Sequence, residues 1–174
     1  MNERVKKLCL SALFLAMGLV FTFLCRFLGV NVEMIILPMH IPLLLCSIVC
    51  GASYGFLLGI LLPLLTSILS GIPMFVPTTI ALCAELAIYG LLMSLINKKL
   101  NIYPALLLTI LLGRACSAII HLIILGFEQQ ELTVSIFVSF AYISVIPGLL
   151  LQFLLVPVLV HTVMHIKKQP KKIR

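Results

Sequence analysis

Six continuously apolar runs, Leu8 to Leu28, about Ile35 to Cys50, Tyr54 to Leu69, Thr78 to Ile96, Tyr103 to Gly126 and about Val134 to His165, occupy nearly the whole chain. They leave it almost no polar surface with which to face water. The sequence is 63% hydrophobic and 10% charged, whereas a globular domain carries about a quarter charged residues. Lipid is therefore the expected solvent. A disordered segment and a disulfide scaffold fall on the same composition, since each needs polar or cysteine-dense sequence. A helix takes about 20 apolar residues to cross a bilayer, so 174 residues hold six crossings with short connections and no ATPase domain. The runs are continuous rather than alternating, which excludes a transmembrane β-barrel.

The expected architecture is all-α: a polytopic six-transmembrane-helix bundle forming a single membrane domain over residues 1–174. Its helices are placed at about 8–28, 35–50, 54–69, 78–96, 103–126 and 134–165, and residues 166–174 form a basic tail. Turn signals separate the runs at Gly29-Val30-Asn31, Gly51-Ala52-Ser53, Gly71-Ile72-Pro73 with Pro77, Asn97 to Asn101, and Glu128 to Glu131. The first run is too long for a signal-peptide apolar region and no small-x-small cleavage site follows it, so it reads as a retained span. No internal repeat is visible. Pro42 suits a first helical turn, while Pro63, Pro147 and Pro157 fall inside runs and are expected to kink them.

The net charge of +7 would suggest nucleic acid in a soluble protein, but position decides otherwise. Ten of the twelve cations form three groups: Arg4, Lys6 and Lys7; Lys98 and Lys99; and Lys167, Lys168, Lys171, Lys172 and Arg174. With six spans all three lie on one side, the cytoplasmic one by the positive-inside rule, together with both termini. Five spans would translocate the basic tail. Arg26, Glu33, Glu128 and Glu131 go to the opposite side.

Two ionisable residues lie deep in apolar runs, Glu85 in the fourth and Arg114 in the fifth. Each costs about 2.5–3.5 kcal/mol on the insertion scale at mid-bilayer, so such residues face the bundle interior and mark a site. Glu85 lies about 12 Å below the outer end of its helix and Arg114 about 18 Å below its own, so the two charges are expected to meet in the outer half. Helical spacing aligns Thr78, Glu85 and Tyr89 on one stripe and Arg114, Ser117, Ala118 and His121 on another. Two polar stripes describe a pocket. A structural pair that only joins two helices is the plainer alternative and stays open.

Weaker signals surround this pair. His40, in Pro38-Met39-His40-Ile41-Pro42, is placed at the outer mouth, as a site residue or a plain loop residue. His161 and His165 have an i, i+4 spacing that a metal uses, but without a carboxylate they read as interfacial anchors. The cysteines Cys9, Cys25, Cys46, Cys50, Cys83 and Cys116 form no C-x-x-C and read as small hydrophobes. Gln152, placed deep in the last helix toward the cytoplasm, reads as a helix-to-helix hydrogen-bonding residue. Ala12 and Ala16 form a small-xxx-small pattern that admits close approach of another helix. No H-E-x-x-H, Gly-x-Ser-x-Gly or acidic pair at helical spacing is present, and there is no Asp, so the sequence offers no catalytic constellation.

From about Met39 to Arg114 the residues resemble a known family, the substrate-binding S components of energy-coupling-factor (ECF-type) vitamin transporters. The likeness comprises Met39-His40-Ile41-Pro42, Gly51 with Tyr54-Gly55, Gly59 and Pro63, Gly71-Ile72-Pro73, Glu85-Leu86-Ala87-Ile88-Tyr89-Gly90, and Gly113-Arg114. The resemblance implies a multi-pass subunit of a bacterial plasma membrane, with no cofactor and no enzymatic activity. Such a subunit captures a water-soluble vitamin or precursor outside and delivers it with a membrane coupling subunit and two ATP-binding subunits. It further implies that Ala12 and Ala16 contact the coupling subunit. Implied ligand contacts are Glu85, Tyr89, Arg114 and His121, with Asn31, His40, Ser139 and Tyr142 behind them. Arg114 and His121 suit a carboxylate such as pantothenate or niacin; should Glu85 neutralise Arg114, a neutral or cationic precursor is supported equally. The alternatives are a stand-alone proton-coupled transporter or channel using Glu85, and a membrane enzyme with Glu85 or His121 as a base.

Overall fold

A computed structural model of the chain describes residues 2–29, 32–33, 36–71, 78–127 and 146–168. These residues form helices and turns, with no strand among them: α1 Glu3–Phe27, α2 His40–Cys50, α3 Ala52–Ser70, α4 Ile80–Ile96, α5 Ile102–Phe127 and α6 Ile146–Lys168. Three stretches, Glu3–Phe27, Ala52–Ser70 and Ile102–Ile120, are long and apolar enough to cross a membrane. The other apolar helical stretches, His40–Cys50, Ile80–Ile96 and Pro147–Thr162, are shorter.

Local chemistry sets the helix ends, and apolar runs alone misplace several of them. α1 begins five residues before its run because Asn2 caps it, its side chain accepting from the Arg4 amide at 3.4 Å, and Glu3 meets the positive end of the helix dipole. α2 starts at His40 instead of 35. Leu37 precedes Pro38, a position where the proline ring disfavours the α conformation, and it adopts φ +52° instead. Pro147 is the second residue of α6, a first-turn position that proline tolerates without the kink expected from an interior one. A single residue, Gly51 at φ 108°, ψ 174°, turns α2 back into α3, and left-handed Gly71 closes α3 with its amide donating to the Ser67 carbonyl at 2.7 Å.

The tightest seam lies between α3 and α4. Gly55 and Gly90 stand back to back, so a Cβ on either would strike the other's backbone or its neighbour's, and Gly59 faces the backbone of Leu86 and Ala87. Small residues at a crossing let two helices approach until their backbones touch. The seam therefore fixes α4, and with it Glu85, against α3. α1 lies on the same unit through the buried face of Phe14, Gly18 and Thr22. The core gathers side chains from every helix, among them Leu44, Leu62, Leu86, Leu106 and Val156, all fully buried.

The periphery is apolar too. Leu13, Val20, Leu24, Leu111, Leu154 and Val158 are exposed, so these helices are apolar on their outward faces as well as their inward ones.

Helix lengths decide where α2 opens. With 11 residues in α2 and 19 in α3, their lengths are about 16 Å and about 28 Å. The two share the Gly51 turn, so α2 begins roughly halfway along α3. The preceding Pro38 and Met39 are buried, which carries the chain into the bundle before His40. At the far end of α3, Arg26 holds Glu33 through two bonds of 2.7 and 2.6 Å. The same guanidinium donates to the Ser70 hydroxyl. This clasp joins the end of α1, the segment that follows it and the end of α3.

Candidate functional site

Three helices bring their few polar side chains to one place. Glu85, on the second turn of α4, is 2% exposed, and its Oε1 lies 3.1 Å from Arg114 Nε on α5. The same oxygen is 3.8 Å from Nε2 of His40, the first residue of α2, itself 2% exposed. That separation exceeds a hydrogen bond, so the imidazole neighbours the carboxylate without fixing it. One turn after Glu85, Tyr89 is fully buried and meets the His40 ring edge-on, with centroids 5.2 Å apart and planes at 65°. Its phenol donates to the Ile110 carbonyl at 3.5 Å, a long bond. Gly113 makes this placement possible, because a Cβ there would enter the Tyr89 ring. Ser117, one turn beyond Arg114, faces the Glu85 carboxylate.

The electrostatics of the cluster are close to balanced. Glu85 answers Arg114 one for one, so Arg114 brings no surplus cation to the site. Removing two charges from water costs several kcal/mol per ion, and their attraction repays this only with good geometry and further hydrogen bonds. Apolar side chains would join three helices at lower cost. A buried ion pair flanked by an imidazole, a phenol and a hydroxyl instead gathers hydrogen-bond donors and acceptors at one depth of the bundle.

Of the residues singled out by sequence, Glu85, Tyr89, Arg114 and His40 come together, and Ser117 with them. His40 lies inside the bundle instead of at its mouth, because α2 opens halfway along α3. Thr78 is exposed and does not share the buried stripe of Glu85 and Tyr89. His121 follows on α5 two turns after Arg114, with its side chain outside the described residues; Asn31, Ser139 and Tyr142 lie outside them altogether. Ala12 and Ala16 are exposed on one face of α1. Beside Ala12 an apolar groove of about 190 Å³ runs between α1 and α3, lined by Leu8, Leu15, Tyr54 and Leu61 among others. No disulfide joins any of the six cysteines; Cys46 and Cys50 are buried and Cys9 is exposed. His161 is exposed.

Two polar features escape the sequence reading. The Arg26–Glu33–Ser70 clasp joins two charges, Arg26 and Glu33, that in the sequence bear only on topology to a serine the sequence does not single out, and no spacing rule pairs side chains across a loop. Gln152 stands out as the lone amide of an apolar helix, yet it is fully buried and, among the described residues, makes no hydrogen bond to a neighbouring helix. It is also the seventh residue of α6, near the end away from the basic tail rather than toward it. No protein family, no curated protein and no solved structure matches the chain.

Proposed function

We propose that the chain spans a bacterial plasma membrane six times with both termini cytoplasmic, and that it is the substrate-capturing subunit of an ECF-type importer. In this reading it takes a water-soluble vitamin or precursor from outside and passes it on with a membrane coupling subunit and two ATP-binding subunits. The observation that carries the reading is the buried His40–Glu85–Arg114 cluster with Tyr89. Counted along α4 from Lys98, Glu85 stands about 20 Å from the basic flank, in the half of the bundle that the positive-inside rule turns outward. Ionisable residues at such depth mark substrate or ion pathways. The exposed Ala12 and Ala16 supply a smooth strip on α1 where a partner helix can approach closely.

The pairing of Glu85 with Arg114 removes the free cation that favoured a carboxylate. Pantothenate and niacin therefore stand level with neutral or cationic precursors. The protein's part is recognition, with no bond made or broken and no cofactor. The 3.8 Å approach of His40 to Glu85 favours one second reading, a stand-alone transporter in which this carboxylate carries a proton.

Replacing both Ala12 and Ala16 with leucine separates the two. For a subunit that depends on a partner, cellular uptake of the molecule that co-purifies with the protein is expected to collapse, while isothermal titration of that molecule to the purified variant is unchanged. Undiminished uptake, in cells with or without the ATP-binding subunits, would favour the stand-alone transporter.

A further inference from the structure

Gln152 is a buried polar side chain that the cluster does not use. It is fully buried, and neither its carbonyl oxygen nor its amide nitrogen has a hydrogen-bond partner among the described residues. A buried primary amide carries two donors and an acceptor, and leaving them all unmade is among the costlier things a core can do. An apolar residue of the same size would be more stable there. The helix that holds it packs against α2 and α5, which carry His40 and Arg114. Its level is similar: at about 1.5 Å per residue, Gln152 lies about 22 Å along α6 from Lys167, and Arg114 lies about 18 Å along α5 from Ile102, the first residue of that helix and three residues after Lys99. With those lysines at one membrane face, the amide stands at the depth of the charge cluster.

We propose that Gln152 is a ligand-reading residue of the same site, and that its amide pairs with a neighbouring N–H and C=O on the captured molecule, as a carboxamide, lactam or ureido group presents them. The side-chain carbonyl accepts from the ligand N–H while the side-chain amide donates to the ligand carbonyl. This assignment rests on the capture reading and narrows it: an N–H beside a C=O is read by Gln152, and the remaining polar groups by the His40–Glu85–Arg114 cluster. A site that hydrogen-bonds such an edge rejects analogues lacking it strongly, because the buried partners are then left unpaired.

The test uses the full-length protein in detergent, with Gln152→Leu and, as the gentler variant, Gln152→Met. Five probes are titrated: riboflavin, biotin and nicotinamide, which carry an N–H and a C=O on one edge, and nicotinate and pyridoxine, which lack it. Without a probe, both variants are expected to unfold at or above the wild-type temperature, since they remove unmet polar groups. At least one edge-bearing probe is expected to bind the wild type, and to bind both variants about tenfold or more weakly. Unfolding of the probe-free variants several degrees lower would return Gln152 to a structural role. Binding that stays within about twofold, binding confined to nicotinate or pyridoxine, or no binding of any edge-bearing probe would overturn the assignment. Binding of nicotinate or pyridoxine alone would leave the capture reading standing while removing Gln152 from it; failure of all five, with no co-purifying small molecule, would remove both.

Discussion

Glu85→Ala is expected to lower stability by about 3–5 kcal/mol, the largest effect of any single substitution in the site, because it leaves a buried guanidinium without its counter-charge. The loss is not the worth of the ion pair. Most of it is the cost of holding Arg114, only 15% exposed, and the enclosed His40 beside a vacated position. Removing both charges together should therefore harm the protein less than the two single losses added. In a cycle of Glu85→Ala, Arg114→Ala and the double variant, followed by denaturant unfolding in mixed micelles, the coupling is expected at about 1–3 kcal/mol. Additive losses would mean that the two side chains are solvated separately. Glu85→Gln, which keeps the shape and a hydrogen-bonding oxygen, should fall between wild type and alanine.

Gly90→Ala is expected to cost about 2–3 kcal/mol, although alanine is the better helix former by about 1 kcal/mol. The new methyl meets the backbone of Gly55 and Phe56, which cannot turn aside as a side chain does, so α4 must lift from α3. Because α4 carries Glu85 and Tyr89, the same shift loosens their contacts with α2 and α5. Gly18→Ala is the matched control. There the methyl meets only the flexible end of Leu62, at 2.8 Å from Cδ1, and a change of rotamer relieves it. Thermal unfolding of the two variants should separate them by several degrees; equal effects would show that the α3–α4 seam is not the rigid part of the bundle.

Much of the architecture is legible in the runs themselves. Continuous apolar stretches bounded by Gly51, Gly71 and the Asn97–Asn101 turn can bury or present only helices, and the six helices of the described residues lie along the six runs. What the runs hide is decided by single residues. Leu37 before Pro38 shortens the second helix to the 11 residues His40–Cys50, and that break moves His40 from the mouth to the interior. Asn2 and Glu3 extend α1 into polar sequence that hydropathy assigns to a flank.

The site is legible to a similar degree. Charge in an apolar helix is expensive, so Glu85 and Arg114 announce themselves, and their depths along α4 and α5 are enough to bring them together. Tyr89 follows from the period of the helix. The Arg26–Glu33–Ser70 clasp depends on a loop path that no periodicity encodes. The isolation of Gln152 among the described residues depends on what its neighbours there fail to offer, which a sequence does not state.

The central proposal is that this balanced, buried cluster holds a small polar molecule. Mass spectrometry of the small molecules retained by the protein as purified from membranes, wild type beside Arg114→Lys, tests it most directly. Lysine keeps the charge opposite Glu85 but loses the planar fork of donors, so the fold should survive while recognition suffers. The account predicts one small water-soluble molecule bound to the wild type and largely missing from the variant. A wild type that retains nothing, or a variant that retains the same molecule equally well, would contradict it.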